Sequence, residues 1–491
     1  MSSIVDKLNL PCRIEEDFIF LKDENKSYTY NEFMKKTVYF ASKLAENGWK
    51  NRAVAVRASH TADTIISFVS ILLSGNYYVA LSTEAPEAFI SRIKEQVTFE
   101  IFPEIPEDGI ARFSDTDLRC RYEELAQKRQ DIKDEDPLYL VFTSGSTGIP
   151  KGIVKSHENM WDFIQAYDKE FSFDSETVLG NQAPFYFDAS AKDIYLSLYK
   201  KCRMVIIDTG LFMKPKELVE YLNREQITVI QWVPSALSIV ASLGTFDLVK
   251  PVTLQQVFFV GEKFPVKHLR VWMNALLDTR FINLYGSSEM AGICAFCVLD
   301  REEIMNMEEI PIGNALSNSS VFLWDAEGQK CITEKGKSGE IRVRSRALAR
   351  GYLGDKEQSR EVFLRGSEGI CFCTGDSACY DEKGRLVFVG RKDFQIKHMG
   401  HRIELEEIET AVLQSTFITD ACCIYHKNKI QLFVCGEVDK AQLTTELRER
   451  IPEYMLPNKI TILDEIPVNA NGKKDRGQLQ KLSERRKRWK K

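Results

Sequence analysis

Residues 139–152 read YLVFTSGSTGIPKG, an apolar run that leads into hydroxyl and glycine residues and ends in Pro150-Lys151-Gly152. The apolar run is typical of a buried strand. Glycines let backbone N–H groups approach anionic oxygens, hydroxyls donate further hydrogen bonds, and a lysine adds a point charge. The stretch therefore predicts a phosphate-binding loop. It is not a Walker A loop, because that motif needs Ser or Thr directly after Gly-Lys, and a merely flexible Ser/Gly loop would not explain Pro-Lys-Gly here.

On both sides of this loop, short β-rich runs alternate with amphipathic helical patterns. Thr29-Tyr30-Asn31-Glu32 reads as a capping box at the start of a helix that Gly48 ends. The alternation predicts parallel sheets covered by helices. Beyond about residue 310, strands punctuated by glycine indicate a β-rich subdomain. The predicted elements are strands at 53–56, 204–207, 228–233, 257–260, 281–284, 339–343, 385–389 and 431–436, and helices at 215–224 and 405–414.

The length of 491 residues exceeds what one hydrophobic core usually holds. A charged turn near Asp393 precedes a segment of roughly 100 residues with its own helix and strand pattern. The predicted fold is α/β: a large N-terminal domain, 1–392, with parallel helix-covered sheets and a β-rich subdomain, and a small α+β domain, 393–491.

Composition narrows the class of protein. With 66 basic and 71 acidic residues and a net charge of -5, the chain lacks the broad basic surface of a nucleic-acid binder. It shows no leader and no apolar run long enough to cross a bilayer, so we expect a cytoplasmic protein without nucleic-acid or membrane partners. The 12 scattered cysteines, including Cys294 and Cys297, are interpreted as core residues. The basic segment 481–491 is interpreted as a solvated tail, or alternatively as a site for an acidic partner.

The phosphate-loop sequence and five further ordered stretches resemble the adenylate-forming superfamily, which includes acyl-CoA synthetases and nonribosomal peptide adenylation domains. The resemblance covers residues 139–476, and six matches in order are far more specific than any one of them. The further stretches are Gly261-Glu262, Asn283-Leu284-Tyr285-Gly286-Ser287-Ser288-Glu289, Thr374-Gly375-Asp376, Gly390-Arg391-Lys392-Asp393 and Asn471-Gly472-Lys473-Lys474-Asp475-Arg476.

The resemblance implies an ATP site in which Tyr285 packs on the adenine, Asp376 binds the ribose and Glu289 helps to hold Mg²⁺. Ser287 and Ser288 stand where the family often has Pro and Thr, and Ser288 keeps the hydroxyl. The implied nucleotide-binding residues are Thr143, Ser144, Gly145, Ser146, Thr147, Gly148, Gly261, Glu262, Asn283, Leu284, Tyr285, Gly286, Ser287, Ser288, Asp376 and Arg391.

The resemblance also implies the catalytic residues Lys151, Glu289 and Lys473. Lys151 would neutralise the leaving phosphates together with Mg²⁺, and Lys473 would bridge the α-phosphate and the substrate carboxylate. Asp393 would be the hinge about which the small domain rotates, and Gly400 would border a tunnel for the acceptor thiol.

Phe187-Asp188-Ala189-Ser190 points to the branch of the superfamily that activates amino acids. In that branch the aspartate pairs with the substrate's α-ammonium. The alternative is that Asp188 only caps the amino end of a helix. Other spacings look closest to stand-alone D-alanine:carrier-protein ligases.

The resemblance to these ligases also implies which residues line the pocket for the substrate side chain. Lys192 and Gln231 are unexpected there, because a D-alanine pocket needs small apolar walls. We therefore hypothesise a substrate with a polar or acidic side chain paired with Lys192. The alternative is a surface lysine that only covers the helix. The implied pocket residues, besides Asp188, are Ala189, Lys192, Gln231, Phe258, Val260, Leu284, Gly292 and Ile293.

The resemblance thus implies that ATP activates an amino acid as aminoacyl-AMP, with release of pyrophosphate, before transfer to a phosphopantetheine thiol. Since only 18 residues follow Lys473, we expect the thiol to come from a separate carrier protein. An acyl-CoA synthetase acting on a non-amino acid is the alternative, but it would have no need for Asp188. A nucleotide-binding scaffold without activity is a third possibility, against which the intact Lys151, Glu289, Asp376 and Lys473 speak.

Overall fold

The computed structural model describes residues 3–105, 107, 109–143, 150–391, 394–468 and 474–485. The strands in these ranges, numbered in chain order, are β1 (Ile19–Lys22), β2 (Ser27–Thr29), β3 (Ala53–Arg57), β4 (Tyr77–Leu81), β5 (Glu100–Ile101), β6 (Pro137–Thr143), β7 (Lys151–Ser156), β8 (Val178–Asn181), β9 (Arg203–Ile206), β10 (Val229–Trp232), β11 (Gln256–Val260), β12 (Arg280–Tyr285), β13 (Ala295–Val298), β14 (Asn314–Ala315), β15 (Ser319–Asp325), β16 (Lys330–Ile332), β17 (Gly339–Ser345), β18 (Phe363–Gly366), β19 (Gly369–Tyr380), β20 (Leu386–Arg391), β21 (Gln395–His398), β22 (His401–Glu404), β23 (Ile418–His426), β24 (Lys429–Gly436) and β25 (Lys459–Ile462).

The helices are spread along the whole described chain and are numbered in the same way. They are α1 (Ile4–Lys7), α2 (Tyr30–Glu46), α3 (Ala62–Leu73), α4 (Glu87–Lys94), α5 (Asp115–Arg129), α6 (His157–Phe171), α7 (Asp188–Lys200), α8 (Pro215–Arg224), α9 (Pro234–Ser242), α10 (Val266–Ala275), α11 (Arg301–Asn306), α12 (Lys356–Val362), α13 (Leu405–Leu413), α14 (Lys440–Arg450) and α15 (Arg476–Arg485). Among the described residues, no helix is both long enough and apolar enough to cross a bilayer.

The chain separates into two compact units. The first comprises Met1–Thr83, Val97–Val141 and Ile153–Lys392, and the second comprises Glu84–Gln96, Phe142–Gly152 and Asp393–Lys491. Two short segments that precede the predicted boundary therefore group with the C-terminal part of the chain. The division into functional domains at Asp393 stays a prediction.

Two sheets in the first unit follow the parallel pattern that the sequence predicted. A nine-stranded sheet has the order β14-β13-β12-β11-β10-β8-β9-β1-β2, and its strands from β12 to β1 run parallel. A five-stranded sheet has the order β5-β3-β4-β6-β7, with β5, β3, β4 and β6 parallel. An antiparallel sheet of β15 to β20 forms the β-rich part. The predicted fold class is thereby confirmed.

Local sequence explains where the first long helix begins and ends. Thr29 accepts a hydrogen bond from the backbone of Glu32, and the Glu32 carboxylate accepts one from the backbone of Thr29, so the predicted capping box is present. Past the end of α2, Gly48 adopts a φ of +70°, which glycine accommodates without steric cost. Phe33 and Leu44 on the apolar face are fully buried.

The second unit contains a hairpin of β21 and β22 and a sheet with the order β23-β24-β25. Met399 and Gly400, with φ of +51° and +83°, form the two-residue turn of the hairpin. Two positive φ values in succession are typical of a type I′ turn, in which Gly is favoured at the second position. Cys422, Cys423 and Cys435 lie in the unit's core, as the sequence predicted for buried small hydrophobes.

Candidate active site

The carboxyl ends of the parallel strands in the first unit carry three of the predicted site residues. In open parallel sheets, ligands bind beyond these ends. Gly261 follows β11, Tyr285 ends β12, and Asp188 begins α7 shortly after β8. Residues from three separate sequence stretches therefore come from the same edge of the nine-stranded sheet.

Tyr285 and Asp376, predicted to bind adenine and ribose, are in direct contact. The Tyr285 hydroxyl donates to Asp376 Oδ2 over 2.5 Å, and Arg391 Nη1 donates to Asp376 Oδ1, also over 2.5 Å. Asp376 and Arg391 are register partners on β19 and β20. Burial, together with the charge of Asp376, raises the pKa of Tyr285 well above its usual value, so the hydroxyl remains a donor.

The loop that follows β12 is held by close backbone packing. A Cβ on Gly286 would lie 2.5 Å from the carbonyl oxygen of Gly292, so only glycine fits there. Asn283 Nδ2 donates to the carbonyl of Pro311 over 2.8 Å. The buried hydroxyl of Ser287 has no hydrogen-bond partner among the described residues. A buried hydroxyl without a protein partner is a candidate contact for a ligand.

Glu262 carries a structural contact that the sequence did not predict. Its Oε2 accepts a hydrogen bond from the backbone of Ser235 in the first turn of α9, over 3.1 Å. A carboxylate at a helix amino end satisfies an otherwise unpaired N–H group. The neighbouring Gly261 has a φ of +101°. The glycine and the capping carboxylate together fix the path of the chain after β11.

Glu289, the predicted metal ligand, is 1% exposed, and its Oε1 accepts a hydrogen bond from the Tyr352 hydroxyl over 2.7 Å. Its backbone carbonyl accepts from Ala349. No group of three or more His, Cys, Asp or Glu side chains in the described ranges is arranged to hold a metal ion. A single carboxylate still fits Mg²⁺, which is usually held by one or two carboxylates plus substrate phosphates and water.

Asp188 does not cap its helix, so the alternative interpretation of this residue was wrong. Phe187 occupies the N-cap position, and α7 has no side-chain cap. Instead, Asp188 Oδ1 accepts from the Tyr139 hydroxyl over 2.8 Å, and Lys155 Nζ lies 3.5 Å from Oδ2. Burial raises the pKa of Asp188, while Lys155 and Tyr139 oppose that shift.

Lys192 is 3% exposed, so the alternative of a surface lysine was also wrong. Its Nζ donates to the carbonyl of Ala189 over 2.9 Å and lies 3.5 Å from Asp193 Oδ1. Asp193 in turn accepts from Asn181 Nδ2 over 2.8 Å. The charge of Lys192 is thus matched by its neighbour on α7, a partner that the sequence did not indicate.

Gln231 is the other unexpected polar pocket residue, and it is 2% exposed. Its Oε1 accepts from the Tyr167 hydroxyl over 2.6 Å, whereas its Nε2 has no hydrogen-bond partner among the described residues. Because a buried donor without a partner costs about 1–3 kcal/mol, this amide is a candidate contact for a substrate side chain.

The remaining pocket residues are apolar and lie on or beside neighbouring strands. Phe258 is fully buried and packs against Tyr167 and Phe171. Gly292 has a φ of +75°, and a Cβ there would lie 2.2 Å from the ring of Phe163, so that ring occupies the space that a side chain would need. The other predicted apolar positions are Ala189, Val260, Leu284 and Ile293. Val260 is half-buried and pairs in register with Leu284 on the neighbouring strand.

In the second unit, Lys151 Nζ lies 3.8 Å from Glu404 Oε1. Thr143, at the end of β6, has a buried hydroxyl without a partner among the described residues. Gly400 lies in the β21–β22 turn with a positive φ, a conformation that favours glycine. This conformation explains the glycine independently of its predicted place beside a thiol tunnel. The predicted residues outside the described ranges are Ser144, Gly145, Ser146, Thr147, Gly148, Asp393 and Lys473.

Sequence patterns missed Tyr139, Lys155 and Tyr352, although each contacts a predicted site carboxylate. Tyr139 reads as one more apolar residue of a strand. Lys155 carried a signal, because a lysine at a buried position of a strand requires a partner. Tyr352 lies far from the recognised stretches.

Comparisons with known proteins agree with this geometry. Residues 12–353 match the family described as AMP-binding enzyme, and residues 407–473 match the AMP-binding enzyme C-terminal domain. The chain is 27% identical over 500 residues to D-alanine--D-alanyl carrier protein ligase of Bacillus licheniformis, covering 97% of this chain and 98% of that protein. It is 28% identical over 498 residues to the protein of the same name from Staphylococcus aureus strain Newman, covering 98% and 99%.

Among solved structures, the Vibrio cholerae adenylation domain AlmE in complex with glycyl-adenosine-5'-phosphate has a TM-score of 0.84. The sequence identity is 21%, over 98% of this chain and 97% of that chain, so this likeness concerns the fold. The first family match alone spans well over half of the chain. The resemblance indicated by the sequence motifs is thus confirmed, and the chain belongs to the AMP-binding enzyme family.

Proposed function

We propose that the protein uses ATP to activate an amino acid as aminoacyl-AMP, releases pyrophosphate, and transfers the aminoacyl group to the phosphopantetheine thiol of a separate carrier protein. The observation that carries the proposal is Asp188, whose side chain is 11% exposed, which lies near the carboxyl ends of the parallel strands and does not cap its helix. The carrier ligases from B. licheniformis and S. aureus, similar over nearly their whole length, support an amino acid and a carrier as substrates.

In the first half-reaction, a substrate carboxylate oxygen forms a bond to the α-phosphorus of ATP while the bond from that phosphorus to the pyrophosphate oxygen breaks. Both reactants are anionic, so electrostatic stabilisation dominates the barrier. Lys473 and Lys151 would supply cationic charge, Asp188 would bind the α-ammonium, and Asp376 with Arg391 would orient the ribose. Mg²⁺, held through Glu289, would neutralise phosphate charge.

In the second half-reaction, the carrier's thiolate would attack the acyl carbonyl and displace AMP. We propose that residues 393–491 act as a mobile lid about Asp393, which withdraws Lys473 and brings Gly400 to the thiol path. In the same proposal, the chain divides into an N-terminal domain, 1–392, and a C-terminal domain, 393–491, and the protein lies in the cytoplasm.

The test is ATP–pyrophosphate exchange with glycine, the D- and L-amino acids and their desamino acids. Exchange with an amino acid, with a large loss in Asp188→Asn, would support the proposal. Exchange with desamino or fatty acids only would instead favour an acyl-CoA synthetase. Exchange with no carboxylic acid would favour a nucleotide-binding protein without this activity.

A further inference from the structure

Lys155 is a fully buried lysine to which the family motifs assign no task; burial lowers its pKa, and the charge of Asp188 opposes that shift. Its Nζ donates to the backbone carbonyl of Met290 over 2.5 Å and lies 3.5 Å from Asp188 Oδ2. Taking a lysine out of water is strongly unfavourable unless a partner compensates its charge. The two contacts explain how the fold tolerates this charge, and one of the two partners, Asp188, belongs to the candidate site.

Tyr139 holds the other oxygen of the same carboxylate. Its hydroxyl donates to Asp188 Oδ1 over 2.8 Å. The Tyr139 ring is fixed by neighbours on two sides, because it stacks on Tyr78 at 5.2 Å and on Tyr195 at 6.3 Å between ring centroids. Burial raises the pKa of Tyr139 well above its usual value, so the hydroxyl stays protonated as a donor.

Both residues come from the two strands that flank the phosphate-binding loop. Tyr139 lies on β6, which enters the loop, and Lys155 lies on β7, which leaves it. These strands are neighbours in the five-stranded sheet. Lys155 also contacts the residue after Glu289. The loop flanks, the carboxylate of Asp188 and the backbone beside Glu289 are therefore linked through one ammonium group.

We propose that Lys155 and Tyr139 are positioning residues that hold the Asp188 carboxylate in the charge state and orientation that bind the substrate's α-ammonium. This inference rests on the proposed role of Asp188. An isolated buried carboxyl favours its neutral form, and a neutral carboxyl attracts an ammonium only weakly. The cation at 3.5 Å and the hydroxyl at 2.8 Å counteract this tendency in the empty site.

The test is the ratio of kcat/KM for the best amino acid of the exchange panel to kcat/KM for its desamino acid. This ratio reports recognition of the ammonium, and a general loss of packing or of loop order would lower both values together. We expect the ratio to fall about tenfold or more in Lys155→Met and about threefold in Tyr139→Phe, since each loses a contact to a charged group. The double variant Lys155→Met/Asp188→Asn should have the same ratio as Asp188→Asn alone. The reason is that the effects of substitutions at two residues in contact do not add.

Lys200→Met is the matched control. Lys200 pairs with Asp168 at 3.1 Å in the same unit, so its removal breaks a lysine–aspartate pair outside the site, and the ratio should stay constant. An unchanged ratio in both Lys155→Met and Tyr139→Phe, or additive effects with Asp188→Asn, would overturn the inference. If Asp188→Asn itself keeps the ratio, the proposed role of Asp188 fails first. Should Lys155→Met not fold, as judged by circular dichroism, the more conservative Tyr139→Phe decides alone.

Discussion

The Tyr285 hydroxyl donates a 2.5 Å hydrogen bond to Asp376, although the two residues are 91 positions apart in the chain. The contact joins β12 of the parallel sheet to β19 of the antiparallel sheet. A residue expected to pack on adenine and a residue expected to bind ribose are thus fixed relative to one another before a nucleotide arrives. Such preorganisation reduces the ordering that binding would otherwise require.

Removal of this contact should affect ATP more than the amino acid. We expect Asp376→Ala to raise the KM for ATP by about 10- to 100-fold, because a buried, charge-assisted partner of both Tyr285 and the ribose is lost. Tyr285→Phe keeps the aromatic ring and should raise the KM for ATP by only about threefold. Exchange assays at varied ATP concentration measure both values. An equal rise in the KM for the amino acid would contradict the assignment of Tyr285 and Asp376 to the ATP site. The control is Tyr380→Phe, on the same strand β19 as Asp376, which should leave the KM for ATP unchanged.

Glu289 and its partner Tyr352 should set the requirement for Mg²⁺. Glu289→Gln removes the proposed ligand charge, and we expect the Mg²⁺ concentration for half-maximal exchange to rise by about tenfold or more. Tyr352→Phe removes the 2.7 Å hydrogen bond that orients the carboxylate and should give a smaller rise in the same direction. Titration of Mg²⁺ at fixed ATP provides the measurement. A lower maximal rate with an unchanged Mg²⁺ midpoint in both variants would speak against metal binding.

Gln231 should contribute to the choice of substrate side chain. Its Nε2 is buried without a partner among the described residues, so a substrate side chain with an acceptor oxygen would gain a hydrogen bond there. We expect Gln231→Met to shift kcat/KM toward apolar side chains by about tenfold. Lys192→Met is the matched comparison, and because Asp193 already pairs with Lys192, it should leave the preference unchanged. A shift in Lys192→Met alone would instead support an acidic substrate side chain.

Acidification should weaken the fold through His157. Its Nδ1 accepts the backbone N–H of Ile4 over 3.2 Å, and burial lowers its pKa to about 4. In the unfolded chain the pKa is about 6.5, so below that pH the unfolded state binds a proton that the folded state refuses until about pH 4. Stability therefore falls as pH drops through this window, by about 2 kcal/mol at pH 5, and is unaffected above it.

Thermal unfolding of wild type and His157→Asn at pH 7 and pH 5 measures this effect. The asparagine can still accept from Ile4 but does not titrate. Its melting temperature should therefore fall less on acidification than that of the wild type. Equal decreases in the two proteins would show that His157 is not responsible.

Lys473 should separate the two half-reactions. We expect Lys473→Ala to reduce adenylate formation by about 100-fold or more, because it loses a cation that meets both anionic reactants, yet to transfer the aminoacyl group from preformed adenylate at a near-normal rate. Lys481→Ala, an exposed lysine on α15, is the control. Equal losses in both steps would contradict alternation of the small domain.

Much of the fold could be predicted from sequence because its signals are local. The capping box at Thr29 and the strands near 257–260 and 281–284 depend on a few consecutive residues, and the structure has them within one or two positions. The stretch from Asn283 to Glu289 likewise carries its chemistry in adjacent side chains. The environment of Lys192 could not be predicted, since helical periodicity does not show whether a neighbouring carboxylate will neutralise a buried lysine.

The sequence by itself determined the alternation of strands and helices, and it predicted the phosphate-binding loop and the groups that would meet ATP and a carboxylate. Only the tertiary structure decided which residues support those groups. Tyr139 reaches Asp188 across 49 positions, and Lys155 meets the same carboxylate from the next strand. The physical reason is that burial patterns depend on neighbours along the chain, whereas the partner of a buried charge depends on the order and register of strands that are distant in sequence.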